Sequence, residues 1–341
     1  MTRCVVVGGS GYVGGELIRL LLGHPKVTVA AATSQRHAGR RVDSLHPNLR
    51  GVTDLVFTSP RDVPGCDVAF LAAGQESAIG LVRQLLSVVD CLIDLSPDFR
   101  LSDQDAYERY YGHPHAAPDL LSSFVPGLPE QHRPCLRDAR RISVPGCMAT
   151  AAVLALRPLA RDGLVDGAVI VDGRIGSSGS GSAATQLNLH AERSGAMRVF
   201  APNGHRHEAE IAQATGLAVL MSATGVEAVR GLQVLCHVQL TRAVPEREVR
   251  QLYRDSYANE PFVRVVTERR GLYRLPEPKI LIGSNFCDVG FATVPSSRHV
   301  TVVAALDNLV KGGAGNAVQC LNIRMGWPER LGLEFPGLHP V

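Results

Sequence analysis

What the sequence lacks already narrows its chemistry. Its eight cysteines (Cys4, Cys66, Cys91, Cys135, Cys147, Cys236, Cys287 and Cys320) include no Cys-x-x-Cys pair. That spacing argues against a zinc site and a disulfide framework, so no metal is expected and the thiols read as reduced and cytoplasmic. Charge of one sign is also missing. Thirty-five Lys and Arg against 32 Asp and Glu leave a net +3, which predicts no nucleic-acid partner. No apolar run approaches the roughly 18 residues of a membrane span. Met1-Thr2-Arg3-Cys4-Val5-Val6-Val7 runs straight into a strand-like segment, without the basic, apolar and small-residue succession of a signal peptide. Internal repeats and low-complexity tracts are absent. What remains, 45% hydrophobic and 20% charged residues over 341 positions, suits a globular chain of two domains of about 150 residues each.

The first half alternates short apolar runs with helical patterns. Arg3–Val7, Val27–Ala32, Val68–Ala73, Cys91–Leu95 and Arg141–Val144 read as buried strands. Gly11–Gly23 puts Val13, Leu17, Leu20 and Leu21 on one helical face before His24-Pro25 stops it. Strands alternating with helices predict an α/β, Rossmann-type doubly wound parallel sheet. From Val169 onwards longer strand candidates appear (Val169–Val171, Leu232–Leu240, Phe262–Val266, Val300–Leu306), with a helix at Glu246–Tyr257. This predicts a second, α+β domain with helices on one face of a mixed or antiparallel sheet. Gly315–Met325 reads as a helix returning to the first domain. The expected division is residues 1–146 plus 315–341 for the nucleotide and 147–314 for substrate and oligomerisation.

Four constellations carry chemistry. Gly8-Gly9-Ser10-Gly11-Tyr12-Val13-Gly14-Gly15 follows the first strand and opens the first helix. Glycines at 8, 11 and 14 permit a tight turn and close approach of a pyrophosphate to the helix N-terminus. At the end of the second strand, Thr33-Ser34-Gln35-Arg36 has no carboxylate before Asp43. An arginine with small polar residues there suits a ribose 2′-phosphate, hence NADP(H), better than the free hydroxyl of NAD. Val144-Pro145-Gly146-Cys147-Met148-Ala149-Thr150 places a cysteine at the start of a helix, whose dipole favours the thiolate. Gly204-His205-Arg206-His207-Glu208-Ala209-Glu210 offers two imidazoles and a guanidinium for proton transfer and an anionic substrate. The loop Gly176-Ser177-Ser178-Gly179-Ser180-Gly181-Ser182 is expected to add amides and hydroxyls for phosphate or carboxylate. Together these parts predict attack of the Cys147 thiolate on an acyl phosphate, reduction of the resulting thioester with hydride from NADPH, and release of an aldehyde.

In order along the chain, Gly8–Gly14, Asp98-Phe99-Arg100-Leu101, Pro145-Gly146-Cys147, Gly204-His205-Arg206-His207 and Asp307-Asn308-Leu309-Val310-Lys311-Gly312 resemble the N-acetyl-gamma-glutamyl-phosphate reductase family. That family is a branch of the aspartate-semialdehyde dehydrogenase-like enzymes, and the resemblance spans essentially the whole chain. It implies Cys147 as nucleophile and one of His205 and His207 as acid/base. It implies contact of NADP with Gly8, with Ser10, Gly11, Tyr12 and Val13, with Ser34, Gln35 and Arg36, with Ser177 and Gly179, and with the Lys311–Asn316 loop through Asn316. For the substrate it implies Arg100, Ser178, His190, Arg193 and Arg206. Leu189-His190-Ala191-Glu192-Arg193-Ser194-Gly195 and the segment from Met325-Gly326-Trp327 to Leu338-His339-Pro340 are similar to the lysine-pathway sub-branch. Its substrate is aminoadipyl phosphate attached to a small acidic amino-group carrier protein, a partner suited to basic residues at Arg36–Arg41 and Arg198–Arg206. Two departures stand out. That sub-branch often has His-His-Pro-Glu-Arg where this chain has Leu189–Arg193, and Glu208-Ala209 replaces the usual Thr followed by Ala or Pro. The acyl group is thus left open. A homo-oligomer is expected. The competing readings are the acetylglutamyl-phosphate reductase of arginine synthesis, another thioester-forming dehydrogenase such as one acting on aspartyl phosphate, and a non-catalytic NADP-binding regulator.

Overall fold

A computed structural model describes residues 1–74 and 77–341, which divide into two compact units. The first comprises Met1–Pro145 and Gly313–Glu334, the second Gly146–Gly312 and Phe335–Val341. No helix of the described residues is long and apolar enough to cross a membrane.

In the first unit the strands are β1 (Thr2–Val7), β2 (Val27–Thr33), β3 (Phe57–Thr58), β4 (Cys66–Leu71), β5 (Val89–Asp94), β6 (Val125–Pro126) and β7 (Arg141–Ser143). They form one sheet in the order β3-β2-β1-β4-β5-β7-β6. Every pairing is parallel. A parallel strand is covered on both faces, which is why β1 and β4 read as nearly unbroken apolar runs. The strand order turns back on itself at β1, between β2 and β4, and a crevice at such a switch point is the usual ligand site. The helix Tyr12–Leu22 leaves that point and buries Leu17, Ile18, Leu20 and Leu21. Residues 313–334 rejoin this unit through the helix Gly315–Arg324. They are fastened to it by an Arg133–Glu329 ion pair and by a 3.0 Å hydrogen bond between Asn322 and His24.

The second unit is a mixed sheet of β8 (Val169–Ile175), β9 (Arg198–Ala201), β10 (Val219–Gly225), β11 (Leu232–Gln239), β12 (Val263–Val265), β13 (Cys287–Thr293) and β14 (His299–Leu306). Their order is β12-β13-β14-β11-β8-β10-β9. The β8/β10 and β12/β13 pairs are parallel and the rest antiparallel. The 15-residue helix Cys147–Arg161 packs on β11 and β14 and contains Pro158. Proline has no amide, so the Leu154 carbonyl one turn earlier loses its intrahelical donor. The Tyr257 hydroxyl donates to that carbonyl, and Tyr253 donates to the next, Ala155, at 2.6 Å. Both tyrosines come from the helix Glu246–Tyr257.

Two differences from the sequence reading are structural. Residues 335–341 belong to the second unit, not with 315–334 in the first: Phe335 lies against Gly283, and Gly337 against the Ile280 carbonyl. The strands β9 and β10 were not anticipated, nor was β13. Its Asp288 interrupts the apolar pattern but is buried and paired with Arg264 of neighbouring β12 at 2.6 Å, so the charge is compensated within the sheet.

Candidate active site

The glycine turn after β1 is dictated by sterics. Gly8 has φ +82°, and a Cβ there would lie 2.6 Å from the Ala72 carbonyl oxygen. A Cβ on Gly14 would sit 2.3 Å from the Gly8 oxygen, so the helix can approach the turn only without side chains at these two positions. Gly11 caps the helix, and its Cβ would meet nothing closer than 3.8 Å. The amides of Tyr12, Val13 and Gly14 are those an α-helix leaves without intrahelical acceptors, whereas Gly15 donates back to Gly11. Tyr12 is exposed, and Ser10 Oγ lies 2.8 Å from Ser34 Oγ. The ring of His46, unanticipated in the sequence, packs where a Cβ of Gly15 would stand and reaches the Gly9 carbonyl at 2.8 Å.

The end of β2 continues this site. Ser34 is buried, while Gln35 and Arg36 are exposed. The Thr33 and Thr58 hydroxyls, paired in register across β2 and β3, are buried without a hydrogen-bond partner. Asp43, the first carboxylate after β2, is gripped by Arg41 through two hydrogen bonds of 3.0 and 2.7 Å, which hold its carboxyl below the usual range. Helix amides without intrahelical acceptors, a turn packed so closely that Gly8 and Gly14 have no room for a Cβ, and buried hydroxyls without a partner together fit a dinucleotide.

In the second unit Cys147 is the first residue of its helix, with Gly146 as cap. The half-buried thiol-bearing residue is crowded: a Cβ on Gly312 would fall 2.5 Å from Cys147 Cβ. Gly312 lies in the π-helical turn Val310–Ala314, and its amide donates to the Asp307 carbonyl. On the other side, the position of a Gly146 Cβ is taken by His207 Nε2, 2.2 Å away. Only glycine before Cys147 lets the imidazole lie against the start of this helix. His207 is buried at the first position of the helix His207–Thr215. Glu210, also buried, accepts the Gly146 amide at 2.7 Å through Oε2, and its Oε1 is 3.7 Å from His207 Nε2. His205 stands edge-on to His207 at 4.5 Å between ring centres and accepts the His207 amide through Nδ1. Burial, reinforced by neighbouring Arg206, pushes the His205 pKa down to about 4, so its ring is neutral at physiological pH.

Behind Cys147 the Asp307-Asn308 pair ties the floor together. Asp307 accepts from the amides of Gly283 and Leu309 and pairs with Arg230 at 3.0 Å. Asn308 accepts the Gly231 amide and donates to the buried Ser178 hydroxyl. The Gly/Ser loop does not behave as its composition suggests. The amides of Gly176, Ser177, Ser178, Gly179 and Gly181 all donate to backbone carbonyls, those of Gly231, Ala228, Val229, Gly176 and Ser178 respectively. Anion binding by those amides, expected from the sequence, is thus not what they do here.

The remaining sequence-selected residues are less centrally placed. Arg100 donates to the Val144 and Leu95 carbonyls, bracing the strand end three residues before Cys147. Asn316 is buried and donates to the Gly127 carbonyl. Lys311 is fully buried in the second unit, 6.0 Å above the Phe262 ring. Arg193 lies across Gly225 and donates to the Val226 carbonyl. His190 and Arg206 are exposed.

Comparison with known proteins agrees with this anatomy. Residues 3–139 match the family model described as semialdehyde dehydrogenase, NAD binding domain, and residues 147–308 the one described as semialdehyde dehydrogenase, dimerisation domain. The chain is 44% identical to the LysW-L-2-aminoadipate 6-phosphate reductase of Deinococcus radiodurans, covering 98% of this chain and 97% of that one. It is 47% identical, over 98% of both chains, to a Thermomicrobium roseum protein that carries the same name provisionally. Among solved structures, aspartate semialdehyde dehydrogenase II of Vibrio cholerae shares the fold at a TM-score of 0.71 and 17% identity, covering 96% of this chain and 98% of that one. The chain belongs to the semialdehyde dehydrogenase family of oxidoreductases, which use a nicotinamide cofactor.

Proposed function

We propose that this enzyme reduces a carrier-linked aminoadipyl phosphate to the semialdehyde with NADPH, through a thioester on Cys147. The observation that carries the reading is the seating of Cys147 at the head of a long helix with the His207 imidazole against Gly146. The helix dipole favours the thiolate. The thiolate attacks the acyl carbon, the carbon–oxygen bond to phosphate breaks, and phosphate leaves with the electron pair. When bound, the nicotinamide supplies hydride for reduction of the thioester. His207 holds the proton that moves as the hemithioacetal collapses to aldehyde and the thiol is restored. His205, kept neutral by burial, accepts the His207 amide and so braces it.

Several features favour NADPH. Arg36 is exposed at the end of β2 with Ser34 beside it, and Asp43 is already occupied by Arg41. The substrate reading rests on the names of the relatives, in which LysW corresponds to the amino-group carrier expected above. A second copy of the chain is assigned to the face of the second sheet where Leu220, Ile170 and His237 share one row and Asp172 and Leu235 the next. Scattered reduced cysteines fit a cytoplasmic enzyme. Turnover decides the substrate. Carrier-linked aminoadipyl phosphate should exceed N-acetylglutamyl phosphate in kcat/KM by about 100-fold. Preference for the free acetylated compound would reassign the enzyme to arginine synthesis.

A further inference from the structure

The glycine turn of the first unit is braced from outside by His46, a residue that belongs to no motif. Two short helical turns, Val42–Ser44 and Pro47–Leu49, flank it, and their Val42 and Leu49 side chains are buried, so the loop has a fixed seat on the unit. Phe57 of β3 meets the imidazole edge-on at 6.3 Å between ring centres. The half-buried ring reaches both ends of the glycine turn. Its Nε2 lies 2.8 Å from the Gly9 carbonyl oxygen, and its Cε1 lies 2.4 Å from where a Gly15 Cβ would stand. A carbonyl can only accept, so Nε2 carries the proton and donates. Gly15 gives its own amide to the Gly11 carbonyl, so among the described residues the bond to Gly9 is the ring's polar tie to the turn.

That tie decides where the next amide points. The Gly9–Ser10 peptide is trans, so its N–H is directed opposite to its C=O. With the Gly9 carbonyl drawn towards the His46 loop, the Ser10 N–H faces away from it. Among the described residues this amide has no acceptor, whereas its neighbours are used, Gly9 by the Thr33 carbonyl and Gly11 by the Gly8 carbonyl. No side chain fixes the peptide plane. Gly8 and Gly9 precede it, and a glycine backbone turns through most of its range at little cost. The hydrogen bond from His46 therefore selects this orientation of the peptide over its reverse. We propose that His46 is a positioning residue for the nucleotide, fixing the Gly9–Ser10 peptide so that the Ser10 amide is delivered to a phosphate of the bound dinucleotide. This inference rests on the reading of residues 8–15 as the nucleotide cradle. The Ser10 amide then joins those of Tyr12, Val13 and Gly14 at the start of the helix.

Calorimetric titration with NADP+ tests the device without turnover. His46→Phe keeps a ring and loses the donor, while His46→Gln loses the ring and keeps an N–H. The Kd for NADP+ should rise about tenfold in His46→Phe and stay within about threefold of the parent in His46→Gln, a contrast of one hydrogen bond. Steady-state rates should divide in the same way, with KM for NADPH raised and kcat at saturation unchanged, because His46 acts on binding and not on the reacting carbonyl. Gly15→Ala gives a second route, at a helix position where alanine is otherwise favoured. Its Cβ displaces the imidazole, so it should weaken NADP+ binding about tenfold alone and add little in a His46→Ala background. A parental Kd in His46→Phe, equal losses in the Phe and Gln variants, or additive losses for Gly15→Ala and His46→Ala would overturn the proposal. Failure of the cradle reading itself shows separately, as a Gly14→Ala protein that binds NADP+ as tightly as the parent.

Discussion

Two glycine-rich loops in this enzyme look alike in composition and differ in every physical respect that matters for binding. In the turn at residues 8–15, Gly8 and Gly14 are required by contacts of 2.6 and 2.3 Å, and the helix behind presents amides that have no intrahelical acceptor. In the loop at 176–182, five amides are already spent on backbone carbonyls, and a Cβ on Gly181 would meet nothing within 4 Å. Glycine content marks both. Only the destination of the amides separates a phosphate cradle from a buttress that anchors Ser178 to Asn308.

The largest expected effect tests that contrast. Gly14→Ala should weaken NADPH binding by on the order of 100-fold, since its Cβ can be accommodated only if the turn moves away from the helix. Gly181→Ala, at φ +79°, should cost about 1 kcal/mol of stability from backbone strain and leave the nucleotide Kd unchanged. Titration of nucleotide fluorescence and thermal melts of the two variants decide between them. Equal losses of nucleotide affinity would erase the distinction between the loops.

Much of this was legible in the sequence, for reasons that can be named. The Gly8–Gly15 spacing is a local steric requirement, and Pro145-Gly146-Cys147 announces a strand end, a turn and a helix start within a few residues. The engagement of the 176–182 amides could not be read from the sequence, because the acceptors Ala228, Val229 and Gly231 lie some fifty residues further along. Glu210 was passed over for a similar reason. A glutamate three residues after a histidine reads as a solvated face, and only the packing of the His207 helix on the Cys147 helix buries it. His46 reaches the Gly9 carbonyl from a loop that carries no motif of its own.

Arg36→Asp sharpens the comparison at the other end of the nucleotide site. Loss of a guanidinium–phosphate contact should cost NADPH about 2 kcal/mol, and the kcat/KM ratio should swing towards NADH. An unchanged ratio would make Arg36 a solvated loop charge.

Asp94 asks the same question of a buried carboxyl in the first unit. Burial pushes its pKa up from 3.8 to about 7, although Ser96 donates to it from both amide and hydroxyl. Between those values the folded chain holds a proton that the unfolded chain has lost, so stability falls as pH rises from about 4 to 7. Asp94→Asn keeps an acceptor for the Ser96 amide and removes this penalty. Its melting temperature should match the parent near pH 4 and exceed it above pH 7, by up to about 2 kcal/mol in stability. A gain that is largest in acid would contradict the assignment.

The smallest effect concerns docking of an acidic carrier. Arg41 is committed to Asp43 and Asp54, while Arg40 is exposed. Arg40→Gln should raise KM for the carrier-linked substrate a few-fold at low salt, and Arg41→Gln less, with kcat unchanged in both. Identical shifts in the two variants would mean that the ion pairs of Arg41 do not mask its charge.

The thioester is the centre of the account and can be observed directly. Enzyme mixed with acyl phosphate in the absence of nucleotide should release one phosphate per active site. Intact mass should rise by one acyl group, and peptide mapping should place that group on Cys147. Addition of NADPH should discharge it as aldehyde, and Cys147→Ala should show neither burst nor adduct. Aldehyde formation by the Cys147→Ala protein, or an acyl group mapped to another residue, would contradict the mechanism.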